Sequence, residues 1–358
     1  MSHDKKEKAG RLAADAFSAF YEAEYEEKNR KDLEKAESYA QVVAREAEWK
    51  HGIFNGVEQI EIEYDGYPLR TPTRYVRSEF IGTMFLARTR ALKKHIPQHP
   101  DIRPSTVLPG ISTVMLAVCD NIVTDHGPNH SWMVGFPIRN PRHLGSWTPL
   151  DLIPGWEMFR QHVMERRGHS FLWRVGSDSW NSILTGVQLW GMSKFKSYLD
   201  FSKEGDFHEV VVSDDDGEMF TLRAREIKRM MDWKRPDLGL HMTNYNIKDR
   251  QVCSLDILAQ PIRMSLSLKP GDIQVELSRT HPFADELLSV LVSTKPLGYA
   301  ICEYSHILYE PSRVPPITMA RFLPAHLNST FVDASITANK GEHGHHRQGT
   351  KNLTPSRD

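Results

Sequence analysis

The chain has 358 residues, a formal net charge of -1 and a hydrophobic content of 40%. This composition supports one sizeable core with decorated ends, and the near-neutral charge excludes bulk attraction to nucleic acid or an anionic membrane. Cys119, Cys253 and Cys302 are too scattered for a disulfide framework or a zinc site, no window reaches membrane-span length, and the charged start lacks a secretory pattern, so a reduced, cytoplasmic protein is expected.

Residues 1–52 carry dense mixed charge, with Leu12, Phe17, Phe20 and Tyr21, then Leu33, Tyr39, Val42 and Val43, at helical spacings, which predicts an N-terminal helical arm. From Ile53 the texture changes. Val57, Ile60, Ile62 and Tyr64 partly alternate with glutamates up to the turn Asp65-Gly66, and residues 75–86 read as a further strand that includes Arg77. A short basic helix over residues 87–95 ends at Ile96-Pro97. Residues 112–119 and 132–138 are apolar strands around an irregular segment holding His126, Asn129 and His130. Those side chains lack a recognisable set of metal-ligand spacings, so they read as loop histidines without a metal.

A helix is expected over residues 157–166, with Gly168 as its stop. Short strand-like runs follow at 171–175, 207–212 and 218–225, and Ser213-Asp-Asp-Asp-Gly217 is a hairpin turn too short for a calcium loop. Further strands fall at 239–256, 273–277 and 301–309, with a short helix over 282–292. The expected organisation is a barrel domain over 53–316 between the arm and an irregular or disordered tail over 317–358. Many short strands and few helices predict a mainly β (α+β) fold: an antiparallel closed β-barrel with peripheral helices, able to hold a ligand inside.

The segment Gly186-Val-Gln-Leu-Trp-Gly-Met-Ser-Lys-Phe-Lys196 sets Lys194 among apolar and small residues. One reading is an ordinary solvated lysine on a strand edge. The other is a nucleophile: an unperturbed lysine has a pKa near 10.4, and lowering it by roughly 3 costs about 4 kcal/mol. Burial among Leu189, Trp190, Met192 and Phe195 would supply that, with Lys196 as a second cation pushing the same way. A neutral amine attacks a ketone and forms a Schiff base.

Two further segments bear on the choice. Tyr75-Val-Arg77 precedes a strand and then Ala91-Leu-Lys-Lys-His-Ile-Pro97, and Ser305-His-Ile-Leu308 lies in the last strand. Together with the Lys194 run, and in this order over roughly residues 70–310, they resemble the acetoacetate decarboxylase family. The resemblance implies a closed barrel, Lys194 as the Schiff-base lysine, Arg77 as the active-site arginine that orients a carboxylate, no metal or organic cofactor, and assembly into a homo-oligomer.

The departures from the family pattern are specific. The lysine that follows the nucleophile in the family is Phe195 here, with Lys196 displaced by one position. Where the family carries a loop glutamate, this chain offers His130 and Ser131. The expected pocket therefore contains Trp190, Met192, Phe195, His130, Ser131 and Lys196, with His130 as a candidate proton donor. The expected function is decarboxylation of a β-keto acid larger than acetoacetate, in secondary metabolism. The alternatives are an aldolase or dehydratase using the same iminium, or a non-catalytic barrel that binds a small ligand. The expected partners are a small keto acid or ketone, with neither nucleic acid nor membrane.

Overall fold

The computed structural model describes residues 53–54, 57–64, 67–95, 102–139, 160–161, 167–227, 231–232, 240–248, 251–269, 271–309 and 312–313. The expected arm over 1–52, the tail over 317–358 and most of the expected helix over 157–166 lie outside these residues. No helix among the described residues is long and apolar enough to cross a membrane.

The chain opens with a hairpin of β1 (Ile60–Tyr64) and β2 (Tyr67–Thr71), then β3 (Thr73–Arg88) and the short helix α1 (Thr89–His95). Next come β4 (Ile111–Thr124), β5 (Asn129–Pro137) and β6 (Arg167–Ser177). Helix α2 (Trp180–Leu184) continues into a π turn (Thr185–Leu189) and leads to β7 (Lys194–Lys196). The strands β8 (Tyr198–Glu204), β9 (Phe207–Asp214) and β10 (Gly217–Arg225) then leave the main sheet, and β11 (Met231–Asp232), β12 (Leu240–Lys248) and β13 (Gln251–Ser267) return to it. The described part ends with β14 (Ile273–Leu277), helix α3 (Pro282–Val290), β15 (Gly298–Leu308) and β16 (Ser312–Arg313).

Seven strands close into a barrel in the order β13, β12, β6, β5, β4, β3, β15, with β15 pairing back onto β13. The expectation of an antiparallel barrel needs correction, because β12 runs parallel to β6. Between those two strands the chain departs to build β8 to β10. A connection of that length removes the hairpin constraint that forces neighbours to be antiparallel. The short β7 is also parallel to β6, with Lys194 opposite Val175.

A second sheet, β14-β10-β9-β8, is antiparallel throughout. The acidic turn read from the sequence joins β9 to β10, with Asp214 accepting from the Asp216 amide at 2.8 Å and Gly217 at φ 117°. Three apolar clusters form among the described residues, and β5 divides the two larger ones by strand alternation. Trp132, Val134 and Phe136 join the layer shared with the small sheet and α3, while Met133 packs with the set inside the barrel. Trp132 anchors the outer layer, meeting Phe195, Phe220 and Phe283 edge-on at centroid distances of 5.7, 5.4 and 5.1 Å.

Gly176 makes this packing feasible. A Cβ there would sit 2.1 Å from Trp132 Nε1 and 2.4 Å from Ser197 Oγ, two atoms that hydrogen-bond each other at 3.1 Å. Gly176→Ala is therefore expected to destabilise the fold by about 1 to 3 kcal/mol through overpacking, read as a lower urea midpoint with an unchanged slope.

Candidate active site

The site is built by the segment between β6 and β7. Ser179 caps α2 by accepting from the Ser182 amide at 3.4 Å. The helix then widens into the π turn, and Gly191, at φ 62°, turns the chain so that the Met192 amide donates to the Gly186 carbonyl at 2.9 Å. This brings Gly186 against the stem of Lys194. A Cβ at Gly186 would lie 2.6 Å from Lys194 Cδ, so the bare backbone is what allows the lysine to pass.

Lys194 as a residue is partly exposed, but its amine lies within the protein and donates to Ser182 Oγ at 2.5 Å. Burial pushes its pKa down to about 8, against opposing pulls from Cys119 and Asp178. A linked series of rings stands near it. Tyr304 and Tyr75 both stack on His306, at 4.9 and 4.2 Å; Tyr75 meets His126 edge-on at 6.0 Å, and His126 meets Trp190 at 6.2 Å. Burial pushes His306 and His126 down to about 3, with the Lys194 charge adding to the effect on His126, so both rings are neutral near pH 7.

Cys119 receives a hydrogen bond from the Tyr304 hydroxyl at 3.8 Å, and burial raises its thiol to about 11. Three buried nitrogens in this region, His126 Nε2, His306 Nδ1 and Trp190 Nε1, have no hydrogen-bond partner among the described residues. Each such group costs about 1 to 3 kcal/mol unless something satisfies it, so the region has polar capacity for water or a bound molecule. Leu172, Val175, Met192, Leu255, Ile257 and Leu308 supply the apolar part of this interior.

The sequence matches no protein-family model and no curated protein sequence. Among solved structures, acetoacetate decarboxylase from Legionella pneumophila aligns with a TM-score of 0.51 at 13% identity, covering 74% of this chain and 96% of that one. The chain has the acetoacetate decarboxylase fold. A second acetoacetate decarboxylase structure aligns at a TM-score of 0.49 and 13% identity over 69% of this chain and 90% of that one. The enduracididine biosynthesis enzyme MppR, complexed with pyruvate, aligns at 0.46 and 9% identity over 71% and 98%.

Within this acetoacetate decarboxylase fold, the residues singled out from the sequence divide into two groups. Trp190 and Met192 pack inside the barrel in one cluster with Tyr75, and the charge of Lys194 reaches His126, the edge neighbour of that tyrosine. Ser131 pairs across the ladder with Cys119 and accepts from Asn121 Nδ2 at 3.1 Å.

The other residues face elsewhere. Phe195 follows Lys194 on a strand, so it points the opposite way and packs on Trp132 in the outer layer; it does not line the pocket. His130 is likewise turned away from the Cys119 side. Its Nδ1 lies 2.8 Å from Asp178 Oδ2 and its Nε2 lies 3.5 Å from Asp120 Oδ1, and the hydrogen bond to Asp178 raises its pKa. Lys196 donates its amine to the Asp178 carbonyl and lies 5.3 Å from the Tyr198 ring centroid, so desolvation, not a neighbouring cation, depresses Lys194.

Arg77 pairs with Glu303 at 3.5 Å, and Glu303 is also held by Arg263 at 2.5 Å. Because Glu303 precedes Tyr304 on β15, it faces away from the stacked rings, and the structure does not bring Arg77 to Lys194.

Sequence reasoning missed Ser182, Tyr75, Cys119, His126, Tyr304 and His306. Two of these had a signal. Tyr75 and His306 lie in the matched segments and are direct partners in the β3–β15 ladder.

Gly186→Ala tests the geometry of the lysine. Alanine suits the helical backbone, so stability is expected to change by no more than about 1 kcal/mol. Displacement of the Lys194 stem should nevertheless reduce labelling of its amine by a ketone plus borohydride at least roughly tenfold, for a loss of about 1.4 kcal/mol in the reactive geometry.

Proposed function

We propose that this chain is a Schiff-base enzyme acting on a ketone-bearing small molecule, with Lys194 as the nucleophile and decarboxylation of a β-keto acid larger than acetoacetate as the reaction. The observation that carries this reading is the Lys194 amine, desolvated to a pKa of about 8 beside a hydroxyl and buried polar nitrogens. Its neutral fraction near pH 7 is about one in ten, enough for attack without an external activator.

The amine adds to the carbonyl carbon, water leaves, and the nitrogen becomes a protonated imine. The bond to the carboxylate then breaks, carbon dioxide departs, and the bonding electrons pass into the iminium to give an enamine. Protonation at carbon and hydrolysis release the ketone and free Lys194. The apolar side chains Met192, Leu255, Ile257 and Leu308 favour a longer apolar substituent than acetoacetate offers.

A second reading keeps the same iminium for aldol or dehydration chemistry. It is favoured by the groups near the amine, which are phenols, imidazoles, a hydroxyl and a thiol. The carboxylate whose charge reaches Lys194, Asp178, is itself hydrogen-bonded to His130.

Borohydride reduction in the presence of acetoacetate or longer β-ketones, followed by peptide mass mapping, should place the adduct on Lys194 in the wild type and lose it in Lys194→Ala. A full adduct elsewhere, or full turnover by Lys194→Ala, removes the reading. Release of carbon dioxide from a β-keto acid supports decarboxylation, and a condensed product from a keto acid and an aldehyde supports the alternative.

The pH dependence has a definite sign. The ammonium form dominates below the Lys194 pKa and does not attack, so the rate of adduct formation should rise with pH and level off above about 8. A profile rising only above pH 10 would show an unperturbed lysine.

A further inference from the structure

The barrel interior extends beyond the buried set around Leu255, Ile257 and Leu308, and the ladder registers trace its course. Residues directly opposite across a ladder share a face of the sheet. From Lys194 the successive partners are Val175, Met133, Ala117, Gly82, Ala300 and Leu266, one per strand from β7 through β6, β5, β4, β3 and β15 to β13. Val175 and Met133 belong to the apolar set inside the barrel, so the whole row faces inward. Because barrel strands tilt, each step of about 4.8 Å to the next strand also moves about 3 Å along the barrel axis. The row is therefore a ramp. It leaves Lys194 beside buried Val175 and ends at Leu266, which is 62% exposed. Met84, two residues beyond Gly82 on β3, is 42% exposed.

The middle of the ramp is hollow, because Ala117, Gly82 and Ala300 put little or no side chain on three adjacent strands. One ring occupies the hollow. A Cβ at Gly82 would lie 2.5 Å from Phe80 Cε1, so the Phe80 ring lies over Gly82. That ring is half-buried and meets Tyr304 edge-on at 6.3 Å. The ladder partner of Phe80 is Cys119, which accepts from the Tyr304 hydroxyl. Phe80 thus stands between the open end of the ramp and the stacked rings. Beyond Lys194 the row carries no charge, and Met133, with Met84 and its ladder partner Met115, adds flexible thioethers that adapt to an irregular apolar guest.

We propose that the hydrocarbon substituent of the ketone extends from Lys194 along this ramp, and that Phe80 is the specificity-determining residue that limits its bulk. The substrate class is a ketone or β-keto acid with an extended, uncharged apolar substituent, because a charged one would lose its water against uncharged side chains. The inference rests on the Lys194 reading and adds to it the path of the substituent and the side chain that restricts it.

Borohydride trapping on Lys194, followed by intact mass, tests this with three methyl ketones: acetone, 4-phenyl-2-butanone and 5-oxohexanoate. The quantity read is the rate of adduct formation relative to acetone, in which any general change at the amine cancels. In Phe80→Ala the ratio for the phenyl ketone should rise at least roughly tenfold over wild type, with Phe80→Leu between the two. The ratio for 5-oxohexanoate, whose carboxylate would have to enter the uncharged ramp, should rise by less than about threefold. An unchanged phenyl ratio in folded Phe80→Ala overturns the proposal while leaving Lys194 as nucleophile. An equal gain for the phenyl ketone and the keto acid shows general loosening and overturns it too. If Phe80→Ala does not fold, as judged by circular dichroism, Phe80→Leu decides alone by the same ratios. Absence of any acetone adduct in the wild type overturns the Lys194 reading itself, and this inference with it.

Discussion

Desolvation of one amine is the constraint on which the site depends. Among the described residues no cation figures in the shift of Lys194: burial lowers its pKa, and Cys119 and Asp178 pull in the opposite sense. Removal from water must therefore do all the work, and that requires walls on every side of Nζ. The walls come from distant parts of the chain. β3 and β15 bring the stacked rings, β13 and β6 bring aliphatic side chains, and the π turn brings the bare face of Gly186.

Barrel closure makes those walls continuous. An open sheet of the same strands would leave one face to solvent, whereas pairing of β15 back onto β13 gives an interior without an edge. The ladder is not regular around the rings. Register shifts occur in β3 at Tyr75, Arg77 and Ser78, in β15 between Tyr304 and His306, and in β13 between Pro261 and Arg263. Bulges of this kind re-aim side chains beside functional sites. Here they fall on three neighbouring strands and accompany the turn of Tyr75 and His306 toward each other.

The strands were largely legible because alternation and turn chemistry are local. The acidic Ser213 to Gly217 turn, the helix beginning at Pro282 and the strand ending at Leu308 each announce themselves in a few residues. The helix and π turn before Lys194 did not, since Thr185, Gly186 and Val187 weaken helical propensity and the segment is held by tertiary contacts. The same limit applied to the site. Lys194 stood out through its neighbours in sequence, but the side chains around its amine are neighbours only in space. Arg77 shows the converse. Its position in a matched segment suggested a role beside the lysine, and a register shift together with the buried Glu303 took it to another face. His126 read as an incidental loop histidine, and only the folded chain places it beside Tyr75 and Trp190.

The three residues of β7 alternate between two environments, and that has a mechanical meaning. Lys194 turns its amine to Ser182, and the next side chain, Phe195, is wedged against Trp132 in the layer between the barrel and the small sheet. The proposed nucleophile is thus held like a tool whose handle is clamped in a separate vice. Its aim is governed by aromatic packing outside the barrel interior. On the proposed reading, drift in that layer would retune reactivity without altering a single pocket residue, so the small sheet becomes part of what determines it.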